Sequence, residues 1–285
     1  MTIWHAALLG LVQGLTEFLP ISSTAHLLAV RQLLGHEHPE DAFTVVIQLG
    51  TLVAVFAYFR ADIARLLLGL LGDVKAFRLG SNESSRVAWR IAVGTMPAVL
   101  VGFLFKKQLK ETFFNLHSVA IVSIVFALLL AAAEWLSQRR TPRGEESITW
   151  LDSLWIGVWQ AFALMPGGSR SGTTITGGLF AGLSRSAAAR FSFLLSMPVI
   201  LGAGLKDLYD EFKKWKHPVA GEAPSLFASA DDVTALVVGT LVSAVAGYLA
   251  IAWLLGFLQR RSTTVFIAYR LIFGAILLAV LATWR

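Results

Sequence analysis

Two short stretches of this chain concentrate residue types suited to phosphate chemistry. One is MPGGSRSGTT, Met165 to Thr174, which puts one arginine, two serines, two threonines and three glycines into ten residues of an otherwise apolar sequence. Gly167, Gly168 and Gly172 let the backbone come close to a ligand and turn N–H groups toward it. Ser169, Ser171, Thr173 and Thr174 add hydroxyl donors, and Arg170 offers a planar fork matched to phosphate oxygens. Pro166 stops the preceding helix. A helix restarting after Gly172 aims its positive N-terminus at the same point. Gly168, Ser169, Arg170, Ser171, Thr173 and Thr174 are therefore the expected phosphate contacts.

The other stretch holds Gln13, Glu17, Ser22, Ser23 and His26. Gln13 and Glu17 are four apart and share a helix face, as do Ser23 and His26, three apart beyond Pro20. Ser22 suits an N-cap. An ionisable group at membrane depth costs about 2.5 to 3.5 kcal/mol on insertion scales, so Glu17 needs a partner. A metal ion, Arg170 and His26 all qualify. Glu17, with Gln13, is the expected oxygen-ligand set for a hard divalent cation, and Mg²⁺ suits a site with only two protein oxygens. Ser23 is a nucleophile with His26 as its base in one scheme. Metal-bound water attacks directly in a second, and His26 is itself the nucleophile in a third. The catalytic set is Glu17, Ser23, His26 and Arg170 in each case.

These groups are positioned by membrane helices. The chain of 285 residues is 56% hydrophobic and 15% charged, with nine Trp, and its mean hydropathy is +0.67. Soluble domains are typically about 25% charged. Windows at 87–105, 118–136, 233–258 and 265–284 are long enough to span a bilayer, and 43–59 and 191–205 are shorter but uncharged. The first apolar stretch carries Gln13 and Glu17 and lacks a basic start, unlike a cleavable signal peptide. The absence of Cys excludes thiol chemistry. A formal charge of +6 is better read as basic loops facing anionic lipid than as a nucleic-acid surface.

The chain also repeats itself. Gly10-Leu11-Val12-Gln13 returns as Gly157-Val158-Trp159-Gln160, each followed by a proline and a hydroxyl cluster, and Val93-Gly94-Thr95 returns as Val238-Gly239-Thr240. The offsets, 147 and 145, nearly agree. One repeat is expected at 1–136 and a second at 150–285, joined by a polar linker at 137–149. Each opens with two short apolar pieces split by proline, 3–19 and 24–34 in the first and 151–165 and 173–183 in the second. Such pairs read as re-entrant hairpins, whose irregular backbone is tolerated only where it lines a cavity. Three spans follow each hairpin, and three is odd, so the second copy is expected upside down. The expected fold is an all-α polytopic membrane protein, an inverted-topology repeat with six full spans and two re-entrant helical hairpins whose tips meet near the midplane. Lys and Arg favour the loops near Arg60–Arg86, Arg139–Arg143, Arg185, Arg190 and Arg260 over those near Arg31, Lys106, Lys206–Lys216 and Arg285. That places the former in the cytoplasm and both termini outside.

The run from Gln13 to His26 resembles the (E/Q)xxxE region of the bacterial undecaprenyl-diphosphate phosphatase family, the integral-membrane family associated with bacitracin resistance. Pro166 to Thr174 resembles its PGxSRSxxT motif, and the likeness covers essentially the whole chain. The resemblance implies hydrolysis of undecaprenyl diphosphate to the monophosphate and inorganic phosphate, which recycles the lipid carrier for cell-wall synthesis. It implies dependence on Mg²⁺ or Ca²⁺, and a multi-pass protein of the bacterial plasma membrane whose site opens to the outer, periplasmic face. Glu17 fits the essential acid, Ser23 and His26 the nucleophile or base positions, and Ser169, Arg170 and Thr174 the phosphate motif. Gln at position 13, where members carry Glu or Gln, weakens that position as a metal ligand. The partners are the polyprenyl diphosphate and membrane lipid, not nucleic acid, and a homodimer is left open. The alternative is a transporter or flippase of a phosphate-bearing lipid or anion, since inverted repeats with broken helices suit both. A carrier needs Arg170 but no nucleophile.

Overall fold

Thr2, Asn82, Asn115, Thr149, Ser184 and Ser229 each turn a side-chain oxygen onto the backbone N–H three residues on, and each begins a helix there. The computed structural model describes residues 1–35, 42–217 and 225–283. In order the helices are α1 (Ile3–Phe18), α2 (Ser23–Leu33), α3 (Ala42–Tyr58), α4 (Arg60–Ala76), α5 (Glu83–Phe113), α6 (Leu116–Ser137), α7 (Trp150–Phe162), α8 (Arg170–Phe180), α9 (Arg185–Lys216), α10 (Ala230–Arg260) and α11 (Thr264–Thr283). Among the described residues, extended pairing is limited to a single bridge between Arg143 and Leu183. Trp284, the end of the expected last span, and Arg285 lie outside the described residues.

The chain is an all-α, multi-pass membrane protein. Among the described residues five helices, α5, α6, α9, α10 and α11, are long and apolar enough to cross a bilayer, and α3 with α4 makes a sixth if counted as one span. That pair bends by 80° at Phe59, a break the sequence reading did not anticipate. α4 carries Asp62, Arg65, Asp73 and Lys75, so beyond Phe59 the chain is no longer uniformly apolar. α9 runs well past the expected window at 191–205, because its charged C-terminal turns remain helical outside the apolar part.

The two helix pairs predicted as hairpins are present. α1 and α2 have 16 and 11 residues, and α7 and α8 have 13 and 11. At 1.5 Å per residue the longest reaches about 24 Å, short of a ~30 Å hydrocarbon core. Packing is crossed between the two stretches expected as repeats: α1 lies on α10, and α7 lies on α5. Both contacts centre on the glycines that the repeat had singled out. A Cβ at Gly10 would stand 2.3 Å from the Gly239 carbonyl oxygen, and one at Gly157 would stand 2.2 Å from that of Gly94. Hydrogen at all four positions is what lets these backbones touch. α3 also packs against α9, and α6 against α11.

Candidate active site

Each hairpin turns on a serine in the left-handed region, Ser22 at φ 74° and Ser169 at φ 66°. For a residue with a Cβ this costs about 1–3 kcal/mol and needs support from its surroundings. The support is local: Ser22 Oγ accepts from Ala25 N at 3.4 Å and Ser169 Oγ from Gly172 N at 3.1 Å. Each serine is thus an N-cap, and the next residue, Ser23 or Arg170, is the first of a half-helix at its positive end. α8 therefore starts at Arg170 rather than after Gly172 as expected. α7 ends at Phe162, ahead of Pro166.

The tips meet. Arg170 Nη2 forms an ion pair with Glu17 Oε1, and Ser171 Oγ donates to the Leu19 carbonyl at 2.9 Å. Of the two side chains open to Glu17, the structure pairs it with Arg170 and not with His26. Three further donors converge on the buried carboxylate: Gln13 Nε2 on Oε2 at 2.8 Å, Ser23 Oγ on Oε2 at 2.5 Å and Gln48 Nε2 on Oε1 at 3.0 Å. Four donors on two oxygens fill the acceptor capacity of a carboxylate. Glu17, Ser23, Ser169 and Arg170 line one cavity of about 190 Å³ together with Gln48 and Gln160.

Ser23 and His26 are not brought together. His26 Nδ1–H donates to the Ser22 carbonyl at 2.7 Å, since a carbonyl can only accept. That tautomer leaves Nε2 as an acceptor, and the Tyr269 hydroxyl occupies it at 2.6 Å. The ring stacks on Phe273, centroids 4.6 Å apart. The hydroxyl of Ser23 lies on Glu17 instead, so the geometry pairs the serine with the acid.

The phosphate motif divides likewise. Ser169 and Arg170 face the cavity, whereas Gly168, Ser171, Thr173, Thr174 and His26 are outside its wall. Gly168 N–H closes a turn onto the Met165 carbonyl at 2.9 Å. Thr173 Oγ1 and Thr174 Oγ1 donate to the Arg170 carbonyl at 3.0 and 2.6 Å, and Ser192 meets Thr174 at 2.5 Å. These hydroxyls hold the start of α8 rather than reach into the cavity. Beneath the turn lies Arg270 of α11, fully buried, donating to the carbonyls of Gly167 and Gly168 at 2.9 and 3.1 Å. Gly172 leaves room for this side chain: a Cβ there would stand 2.7 Å from Arg270 Nη1, so the guanidinium would have to shift.

The donor set does not fit a cation held by the protein. Every acceptor position of Glu17 is taken, and the positive charge beside it is supplied by Arg170. Gln13 directs its N–H₂, not its carbonyl oxygen, to Glu17. Among the described residues no group of three or more His, Asp or Glu is placed to hold a metal.

Three residues at this site were not singled out in the sequence. Gln48 sits in an uncharged span with no motif around it. Gln160 was visible only as an echo of Gln13. Arg270 was one isolated charge in the last span.

Fold and site together define an α-helical multi-pass membrane protein with an ion-paired cavity between two interrupted helices. The chain belongs to the family described as "Bacitracin resistance protein BacA", whose profile matches residues 6–276. It is 44% identical over 287 residues to an "Undecaprenyl-diphosphatase" of Chlorobium phaeobacteroides (strain BS1), covering 99% of this chain and 98% of that protein. Proteins of the same name from Chloroherpeton thalassium and Chlorobium phaeovibrioides are 46% and 48% identical, each with 99% of this chain and 98% of the relative covered.

Proposed function

We propose that this protein hydrolyses undecaprenyl diphosphate to undecaprenyl phosphate and inorganic phosphate. Full-length similarity to undecaprenyl-diphosphatases supports the substrate. The observation that carries the chemistry is the Ser23 hydroxyl donating to a carboxylate, Glu17, that is also paired with Arg170.

In this reading Ser23 Oγ attacks the terminal phosphorus while its proton passes to Glu17 Oε2. The bond from that phosphorus to the bridging oxygen breaks, the proton on Glu17 passes to the departing oxygen, and undecaprenyl phosphate leaves. Glu17, again a carboxylate, takes a proton from the water that attacks the phosphoserine, and returns it to Ser23 Oγ as inorganic phosphate departs. Arg170 exchanges Glu17 for phosphate oxygens, and the N-terminus of α8 adds to the positive field there. Ser169 is a further phosphate donor. A divalent cation, Mg²⁺ or Ca²⁺, accompanies the diphosphate as part of the substrate complex and neutralises its charge. His26 is a positioning residue: it ties the carbonyl of the left-handed Ser22 to α11.

The protein resides in the bacterial plasma membrane, with the cavity opening to the outer face and the polyprenyl tail in lipid. Both hairpins belong to one chain, so hydrolysis needs no second copy. The two halves are inverted copies, a reading supported by the crossed glycine contacts. The test is phosphate release from a polyprenyl diphosphate by purified protein, with and without EDTA. EDTA-sensitive release is expected. Binding and movement of the lipid between leaflets without release would identify a carrier instead.

A further inference from the structure

Gln160 lies on α7, one turn before the second hairpin tip, and it lines the same cavity as Ser23 and Arg170. It is 2% exposed. Among the described residues both of its amide atoms, Nε2 and Oε1, are buried without a hydrogen-bond partner. A buried amide left so costs free energy that an apolar residue of the same size would not.

Its counterpart explains why it has no partner. Gln13 occupies the matching position of the first half and is held by the acid four residues on, Glu17. Four residues beyond Gln160 the chain has Leu164, which also lines the cavity. The second half thus keeps the amide and lacks the carboxylate that would engage it. Gly157, three residues earlier, locks α7 against α5 through backbone contact with Gly94, so α7 cannot easily shift to relieve the amide.

We infer that Gln160 is a substrate-binding residue whose Nε2–H₂ donates to an oxygen of the bound diphosphate. This rests on the hydrolase reading above for the identity of the ligand. The chemistry fits: a diphosphate brings oxygens rich in lone pairs into a cavity where two further donors, Ser169 and Arg170, stand at the start of the next helix. A neutral donor adds a contact without adding charge to a site already holding Arg170. Hydrogen bonds to charged groups are among the stronger ones, so loss of this contact weakens binding roughly ten- to a hundredfold.

The experiment compares wild type with Gln160→Leu and Gln160→Glu. It measures kcat/KM on a polyprenyl diphosphate, and the thermal midpoint with and without inorganic pyrophosphate. In Gln160→Leu the unliganded midpoint should stay equal or rise, because an unpartnered amide has been removed. The rise caused by pyrophosphate should shrink or vanish, and kcat/KM should fall ten- to a hundredfold. Gln160→Glu should lose more, since a carboxylate faces the phosphate. A pyrophosphate response in Gln160→Leu equal to that of wild type would overturn the inference. So would an unliganded midpoint that falls in Gln160→Leu, which marks a structural amide. If wild type releases no phosphate, the hydrolase reading fails while the pyrophosphate arm still decides on Gln160. Pyrophosphate that leaves wild type unstabilised sinks the inference itself.

Discussion

Glu17 and Arg170 stand 153 residues apart in sequence and form one ion pair at the junction of two interrupted helices. Both charges are largely buried, the Glu17 side chain 3% and the Arg170 side chain 14% exposed. Each is therefore the condition for burying the other. In the mechanism proposed above, phosphate replaces Glu17 on the guanidinium before chemistry starts.

Removing the acid alone should harm both stability and turnover. Breaking a buried pair typically costs about 3–5 kcal/mol, since the remaining charge is uncompensated. Glu17→Gln should lower the thermal midpoint and abolish phosphate release. The double variant Glu17→Gln/Arg170→Gln should regain much of the midpoint and none of the activity. Equal midpoints in the two variants would contradict the pairing. Arg170→Lys should keep the fold and lose at least about tenfold in kcat/KM, because an ammonium cannot reproduce the planar fork.

The serine and the histidine should separate kinetically. Ser23→Ala should fall below about a hundredth of wild-type kcat, given that general-base assistance alone is worth about 10²–10⁴. His26→Asn should cost less than Ser23→Ala, since the ring faces Ser22 and Tyr269 rather than the serine. Acid-quenched trapping with labelled substrate should yield phosphoserine at Ser23. An acid-labile adduct at His26, or a His26 variant more damaged than Ser23→Ala, would reverse the assignment.

Cation dependence should follow the substrate and not the protein. EDTA should suppress phosphate release, and Mg²⁺ or Ca²⁺ should restore it. The midpoint of the unliganded protein should be the same with EDTA as with millimolar cation. A cation-dependent midpoint in wild type that disappears in Glu17→Gln would show that the protein itself holds the ion.

The crossed glycine contacts predict a purely structural phenotype. Gly10→Ala and Gly157→Ala each place a methyl carbon within 2.3 Å of a backbone oxygen. Overpacking of this kind costs typically about 1–3 kcal/mol, read as a lower midpoint in detergent. Retained midpoints in both would mean that these helices can part freely.

Much of this was legible in the residues themselves. The prolines and hydroxyl clusters announced the two interrupted helix pairs. Glu17 and Arg170 stood out because charges are costly in lipid. What escaped was decided by approach in three dimensions. Gln48 donates to Glu17 across 31 positions, and an isolated glutamine in an apolar span carries no local mark of that. The spacing of Ser23 and His26 permitted a contact, but spacing on a half-helix could not reveal that Tyr269 would claim the imidazole. The threonines of the second motif read as ligand donors, yet a hydroxyl at a helix start also meets the carbonyl a turn earlier, as Thr173 and Thr174 do. The start of α8 moved forward to Arg170 because Ser169 adopts a backbone conformation that its residue type rarely takes.

The matching left-handed serines give the two tips one backbone geometry and two chemistries. Ser22 and Ser169 deliver the following residue to the same place in each tip, and those residues are Ser23 and Arg170. Two tips of identical sequence would have to present the same side chain twice, either two hydroxyls or two cations. Because the tips differ in the residue that follows the serine, one backbone geometry delivers a hydroxyl from one side and a guanidinium from the other, and both converge on Glu17.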